Sequence, residues 1–268
     1  AISIAIEGKE SFLGDPRKHL TSALDGQTGS ILQKLGLLGY LARSPKSGES
    51  VANQLMPLGR TYDRVLRPFL TGVFLTDPSE VEGSVGKEII SSFVTGRPGL
   101  PTNGVGELAT ALAKRIKNLQ LKTRIEAVKD GYLKTNKRTG KIKFDALIVA
   151  TDMSTAAQLL DIDSVPSQVG CTTWYHVPNY SPTEHPHLLL DGMQAGPVVN
   201  SLVISNMMAS YAPFGKHLVS TTTIKRASES EVRRHLSAMW GTSTQKWELI
   251  GKYEIASALP LEIGRAHV

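Results

Sequence analysis

The stretch from Leu100 to Asp152 reads LPTNGVGELATALAKRIKNLQLKTRIEAVKDGYLKTNKRTGKIKFDALIVATD. Its apolar spacing predicts a helix over Gly106–Asn118, then a strand within residues 119–129 and a lysine-rich hairpin. The run ALIVA at residues 146–150 is continuous and apolar, as in a strand that is covered on both faces of a sheet. This order of elements predicts an interior piece of a larger α/β domain.

The segments on either side of this stretch have different patterns of apolar and polar residues. Before it, helical spacing predicts a layer of helices over Ser30–Tyr40, Val51–Phe74 and Ser84–Phe93, the second interrupted at Pro57 and Pro68. After a helix that Asp152 or Ser154 would cap, several longer strands separated by Pro, Gly and Asn indicate an antiparallel meander. A helix opened by Ser228 or Ser230 should pack on it, and 247–260 is a last strand. The fold class is therefore a combination of α+β and α/β.

Composition excludes several classes of protein. The 268 residues have the apolar and charged fractions of a globular protein, and no apolar run approaches the roughly 20 residues that cross a bilayer. The opening AISIAIEGKE lacks the pattern of a signal peptide. Cys171 is the single cysteine, so no internal disulfide can form, and no Cys/His set has the spacing of a zinc site. We therefore expect no bound metal.

The net charge of +6 is concentrated in residues 114–143, which hold eleven lysines and arginines. A solvated helix face followed by a lysine-rich hairpin edge explains this charge, because edge lysines discourage unwanted strand pairing. The aromatic side chains that a single-strand binder uses for stacking are missing, so we expect no nucleic-acid partner. A peripheral contact with anionic lipid remains open, and the expected location is cytoplasmic or peripheral to a membrane.

One glycine motif resembles a dinucleotide fingerprint. Gly104 and Gly106 begin a G-x-G-x-x-A pattern that opens a helix, and Glu126 follows about twenty residues later. The fingerprint requires a buried strand that runs straight into the first glycine, whereas Pro98 and Pro101 stand in the approach. We interpret the glycines as a helix entry that lets the backbone approach a flat ligand, and a plain turn is the alternative.

No other motif assigns a catalytic residue. The sequence has no G-x-S-x-G elbow, and GSVGKE lacks the glycine spacing of a P-loop. His185 and His187 flank a proline and are expected to be solvated, and Asp191 is expected to form a turn.

The order of several phrases resembles the flavin-containing amine oxidase and phytoene-desaturase-like family of FAD-dependent oxidoreductases. The phrases are RPFLTGVFL at 67, FVTGRPGLPTNGVGELATALA at 93, TRIEAV at 123, FDALIVATD at 144, GPVVNSLVIS at 196, SYAPFGKHLVS at 210 and YEIASALP at 253. The resemblance implies a Rossmann-like FAD domain and a substrate domain with a mixed or antiparallel sheet plus helices. Residues 100–160 would be part of the FAD domain, and 1–99 and 161–261 parts of the substrate domain.

The resemblance also implies which residues meet the cofactor. By this similarity Ile125 would contact FAD through its backbone, and Ala150 and Thr151 would lie beside it at the end of a strand. Gly104 and Gly106 would lie near the flavin ring. The family's first βαβ unit with G-x-G-x-x-G and its C-terminal glycine-rich segment have no counterpart here. We therefore interpret the chain as an internal fragment of a protein that binds FAD only at full length, with EIGRAHV at 262–268 as a translated sequencing adapter.

The implied activity is hydride transfer to flavin from an organic, hydrophobic substrate such as a polyene, a porphyrin precursor or an amine. The fragment itself is expected to be inactive. The alternative is a non-catalytic binding protein on the same scaffold, similar to GDP-dissociation inhibitors. The sequence leaves the catalytic residues and the oligomeric state open.

Overall fold

A computed structural model describes residues 2–14, 20–44, 48–96, 99–137 and 140–261. It divides the chain into two compact units. The first unit comprises Ala1–Gly104 and Gln168–Val268, and the second comprises Val105–Ser167. The EIGRAHV segment lies outside the described residues.

The secondary structure of the described residues alternates between helical and extended regions. The strands are β1 Ile2–Ile6, β2 Lys9–Leu13, β3 Ile125–Lys129, β4 Tyr132–Thr135, β5 Lys141–Lys143, β6 Gln168–Val177, β7 Leu188–Asp191, β8 Val198–Val203, β9 Val219–Thr223 and β10 Glu248–Pro260. The α-helices are α1 Leu20–Leu24, α2 Ile31–Ala42, α3 Val51–Leu55, α4 Arg67–Phe74, α5 Gly83–Thr95, α6 Gly106–Ala113, α7 Met153–Leu160, α8 Ile204–Met207 and α9 Glu229–Trp240. A π-helical turn over Tyr62–Leu66 leads directly into α4.

The first unit is built on a seven-stranded mixed sheet in the order β10-β6-β9-β8-β7-β1-β2. All neighbours are antiparallel except β1 and β7, which are parallel. The predicted mixed sheet is confirmed. The β1–β2 hairpin, which joins this sheet, was not predicted, because only helices were expected in residues 1–99. Glu7 and Gly8 connect its strands with φ of 51° and 73°, as in the two-residue turns that match strand twist.

Helix α9 covers one face of this sheet. Ser228 caps the helix and exchanges hydrogen bonds with Glu231 in a capping box, which confirms the predicted start. Its apolar stripe, which includes Val232 and Leu236, is buried against Trp174 and Val219 of the sheet. We call this side of the sheet the α9 face.

The helical layer covers part of the opposite face. Helices α3, α4 and α5 bury a second core against the sheet, with Leu190 of β7 inside it. This coverage reaches β8, where Gly72 of α4 approaches Asn200 so closely that a Cβ on the glycine would lie 2.7 Å from the amide nitrogen. None of the described side chains of β6, β9 and β10 belongs to this second core.

The second unit contains a three-stranded antiparallel sheet, β3-β4-β5, which confirms the lysine-rich hairpin. Two predictions here are wrong. The helix ends at Ala113 and not at Asn118, and residues 146–150 form no strand, with Ile148 90% exposed. A strand of this composition needs partner strands on its edges and cover on both faces. The described residues of this unit provide neither for 146–150.

Among the described residues, none of the helices combines the length and apolarity that crossing a bilayer requires.

The packing of the core under the helical layer predicts how a substitution at Leu190 changes the stability of the protein. Leu190 is fully buried, so Leu190→Ala should lower the free energy of unfolding by roughly 2–5 kcal/mol in urea titrations. The matched control is Leu32→Ala, because Leu32 of α2 is 80% exposed and should change that energy by less than about 0.5 kcal/mol. Equal effects at the two leucines would contradict this packing.

Candidate functional site

The residues predicted to meet FAD lie at turns and strand ends. Gly104 ends the first unit with φ of 98°, and Gly106 begins α6 in the second unit. Ile125 begins β3 opposite Thr135. Ala150 and Thr151 immediately precede Asp152, whose side chain accepts a hydrogen bond from the Thr155 N–H and caps α7.

Within the second unit, Gly106, Ala150 and Ile125 differ in the space and in the backbone groups that they offer to a ligand. A Cβ built on Gly106 would meet no atom within 4 Å, so this glycine is not needed for close packing inside the protein. The backbone of 146–150 has no backbone hydrogen-bond partner among the described residues. Ala150 is exposed and its backbone groups are free to contact a flat cofactor. The backbone of Ile125, by contrast, is already paired with β4. The second unit therefore fits FAD in part.

The strongest candidate for substrate contact lies in the first unit, on the part of the sheet that no helix covers. Burial alternates along β9, along β6 from Thr173 to Val177 and along β8 from Asn200 to Val203. In these stretches every second side chain is buried on the α9 face, and its neighbours are half-exposed on the other side. We call this half-exposed surface the open face. Its side chains are Cys171, Thr173, Tyr175, Leu202, Ser220, Thr222, Tyr253 and Ile255. Asn200 points the same way but lies under Gly72 of α4.

Two tyrosines lie on the side of the open face that ends at the edge strand β10. The rings of Tyr175 on β6 and Tyr253 on β10 meet edge to face, with 5.8 Å between their centroids. Gly251 lies opposite Tyr175 and leaves room for them, because a Cβ there would come within 3.1 Å of the Tyr253 ring. The face therefore offers aromatic surface surrounded by hydroxyl groups.

Of the charged side chains of β10, Lys252 and Glu254 point away from the open face and Glu248 does not. Lys252 and Glu254 form an ion pair on the α9 face, where the Lys252 Nζ lies 4.8 Å from the centre of the Trp174 ring. Glu248, opposite Val177, is on the open side at the first residue of β10, beyond the tyrosines. Burial raises the pKa of the Cys171 thiol, so this side chain is neutral at physiological pH.

A pocket of the first unit has a different character, because charged side chains form part of its wall. It measures about 280 Å³ and lies between α4 and the β7–β8 hairpin. Four charged side chains line it, Arg67, Asp77, Asp191 and Lys225, and Arg67 pairs with Asp77 at 2.8 Å. Its volume is below the roughly 300–1,000 Å³ of typical ligand pockets, so a large hydrophobic substrate would not fit inside it.

A buried Asp–His pair holds one wall of this pocket, and the sequence interpretation of Asp191 as a turn former missed it. The Asp191 carboxylate does accept the turn N–H groups of Met193 and Ala195, but it also lies 3.1 Å from the His235 Nε2. The His235 Nδ1 accepts the Val198 N–H at 3.1 Å. Burial acts to raise the pKa of Asp191, but these hydrogen bonds outweigh it and hold the pKa below its ordinary value.

A second buried imidazole lies on the α9 face. His176 is fully buried, and neither of its ring nitrogens has a hydrogen-bond partner among the described residues. Its Nε2 is 4.0 Å from the Glu229 carboxylate. Burial, followed by the positive charge of Arg233, lowers the pKa of His176 to about 4, against the opposing effect of Glu229.

Comparison with known proteins decides the family. The model of the family described as flavin containing amine oxidoreductase matches residues 42–241, well over half of the chain. The chain belongs to this family. Members of the family contain flavin, and the resemblance predicted from the order of the sequence phrases is confirmed. Curated protein sequences gave no match.

Several solved structures share the fold. An oxidoreductase from Methanosarcina mazei matches with a TM-score of 0.73 at 14% identity, over 97% of this chain and 69% of that one. A candidate protoporphyrinogen oxidase from Exiguobacterium sp. 255-15 matches with a TM-score of 0.67 at 14% identity, over 97% and 68%. Reduced UDP-galactopyranose mutase matches with a TM-score of 0.58 at 11% identity, over 98% and 67%. The chain thus spans about two thirds of the length of each of these proteins, and their names indicate different activities. These similarities establish only that the fold is shared.

The buried state of His176 predicts a dependence of stability on pH. In the unfolded chain the imidazole of His176 becomes protonated near its ordinary pKa of 6.5. In the native protein it stays neutral until the pH falls to about 4. The free energy of unfolding should therefore fall by about 3 kcal/mol as the pH falls from 6.5 to 4. His176→Leu should flatten this part of the curve, measured by urea unfolding at each pH, because it removes the titrating group.

The matched control is His185→Leu, which removes an exposed imidazole and should leave the slope between pH 6.5 and 4 unchanged. An unchanged slope in His176→Leu would contradict the buried, unpartnered position of His176.

Proposed function

We propose that this protein is an FAD-dependent oxidoreductase that transfers a hydride from an organic, hydrophobic substrate to flavin. Family membership over residues 42–241 carries the proposal. A polyene, a porphyrin precursor and an amine are the substrates that the sequence left open. The cofactor supplies the redox chemistry in such enzymes, and the protein supplies binding, orientation and the exclusion of water.

The two units would divide these tasks. In the second unit, Gly106, Ala150 and Thr151 would contact FAD through open backbone, and Ile125 would support them from β3. In the first unit, the open face would contact the substrate. Aromatic and hydroxyl groups there can orient an organic molecule without carrying out acid–base chemistry, so no side chain of the face is assigned a catalytic role.

Flavin titration tests how much of the cofactor site these residues supply. Because only part of the second unit fits FAD, we expect no saturable binding by the 268-residue chain at micromolar FAD, measured by quenching of flavin fluorescence. Tight one-to-one binding would contradict this expectation.

A form of the protein that also carries a strand followed by G-x-G-x-x-G tests the activity. It should purify yellow, with flavin absorbance that bleaches on addition of substrate. In that form Thr151→Glu should weaken FAD binding at least about tenfold by placing a carboxylate beside the anionic cofactor. Gln245→Glu, an exposed site on the first unit, is the matched control. A colourless protein that resists loading with FAD would favour the non-catalytic binding protein.

A further inference from the structure

One side of the three-stranded sheet in the second unit carries four lysines. The pairing register places two rows of side chains on this side, one from each strand: Lys129, Tyr132 and Lys143, and then Ala127, Lys134 and Lys141. All four lysines are exposed. The alternate side chains point to the opposite side and form an apolar, half-buried row, Val128, Leu133 and Ile142. We call the side with the lysines the lysine face.

We propose that the lysine face binds the surface of a membrane that contains anionic lipid. The inference goes beyond the proposed oxidoreductase function, because it concerns where the protein is held and not which molecule it oxidises. It assigns to one surface the peripheral contact with anionic lipid that the composition left open.

The net charge of the chain is concentrated around the lysine face. Residues 122–145 hold eight lysines and arginines and three acidic residues, a net charge of +5, whereas the whole chain carries +6. Among the described residues, Glu126 is the only acidic residue in an ion pair with a lysine of this face, and its carboxylate lies 3.4 Å from the Lys134 Nζ. Three positive charges of the face therefore remain without an acidic partner.

Protection of the sheet edges accounts for only some of these lysines. Lysines on β3 and β5 discourage further strand pairing, because these are the edge strands of the described sheet. Lys134, however, lies on the middle strand β4, directly opposite Lys141. Like charges in opposite positions destabilise a sheet. A negatively charged surface above the two ammonium groups would offset this repulsion.

All four lysines can act on one flat surface at the same time. Three strands at a spacing of about 4.8 Å are about 10 Å wide, and positions two apart along a strand are separated by about 7 Å. These distances are close to the electrostatic screening length of about 8 Å at physiological salt. A lipid surface in contact with the sheet therefore interacts with the whole lysine face at once.

The chemistry of the face favours lipid over nucleic acid or protein. Lysine carries a hydrated point charge on a flexible stem, which suits mobile lipid headgroups, whereas arginine suits bidentate recognition of a fixed phosphate. Binding of single-stranded nucleic acid uses aromatic rings for stacking, but the Tyr132 ring is half-buried and the Lys141 Nζ lies 4.9 Å from its centre. Lysine is also depleted in protein–protein interfaces. A fluid anionic surface matches the lysine face best.

Sedimentation of the 268-residue chain with lipid vesicles tests the proposal. The chain should bind vesicles of phosphatidylcholine and phosphatidylserine, mixed at about 3:1, at least about tenfold more tightly than vesicles of phosphatidylcholine alone. This difference should disappear as sodium chloride rises from about 0.1 M to about 0.5 M. Lys134→Gln, Lys141→Gln and Lys143→Gln in one variant should weaken binding to the mixed vesicles at least about tenfold.

Two matched control variants each remove three exposed lysines from other positions. The first lies in the same basic segment but outside the sheet and combines Lys114→Gln, Lys117→Gln and Lys122→Gln. The second lies in the first unit and combines Lys9→Gln, Lys216→Gln and Lys246→Gln. Each control should weaken binding by less than about threefold, because the lysine face stays intact.

A fourth variant should bind more tightly than the unmodified chain. Glu126→Gln removes the acidic partner of Lys134 and should strengthen binding to the mixed vesicles by about two- to fivefold. A folding defect would not produce such a gain.

Equal binding to the two kinds of vesicle, binding that survives the loss of the three face lysines, an equal loss in either control, or no gain in Glu126→Gln would each overturn the proposal. Tighter binding of a labelled oligothymidylate than of the mixed vesicles, compared at equal concentrations of accessible phosphate, would also overturn it. These experiments need no flavin. Their failure is therefore distinguishable from failure of the proposed oxidoreductase function, which the flavin titration and the bleaching assay test separately.

Discussion

The packing of helix α9 on one face of the seven-stranded sheet is the constraint on which the rest of the structure depends. Trp174 and Val219 must lie under Val232 and Leu236 of the helix, and this fixes the register of β6 and β9. Because side chains alternate along a strand, a slip by one residue would exchange the two faces. The same burial that stabilises the α9 face therefore determines which side chains form the open face.

Sequence patterns predicted the elements whose signals are local. The start of α9 followed from a serine with Glu231 three residues later, and the pairing of β4 with β5 from the lysine-rich hairpin pattern. Residues 146–150 were predicted wrongly because a buried strand is defined by its neighbours, and no strand among the described residues pairs with 146–150. The hairpin of β1 and β2 was missed although Glu7 and Gly8 give a turn signal between two short alternating runs.

The candidate site was harder to predict than the fold. The contact of Asp191 with His235 joins residues 44 positions apart in sequence, so no local pattern reports it. The open face likewise depends on strand order, since β6 lies between β9 and β10, which follow it in the chain. Alternation within β9 could have predicted that Thr222 and Thr221 face opposite ways, but not that helices would cover only one of the two sides. The family resemblance, by contrast, rested on the order of whole phrases and was confirmed.

Thiol labelling at two adjacent positions of β9 tests most directly which side chains form the open face. In a Cys171→Ser background, cysteine is introduced either by Thr222→Cys on the open face or by Thr221→Cys on the α9 face, where Thr221 is fully buried. A maleimide reagent should modify the Thr222→Cys variant in the folded protein. It should modify the Thr221→Cys variant only after unfolding. Equal labelling, or faster labelling of the second variant, would contradict the assignment of the open face.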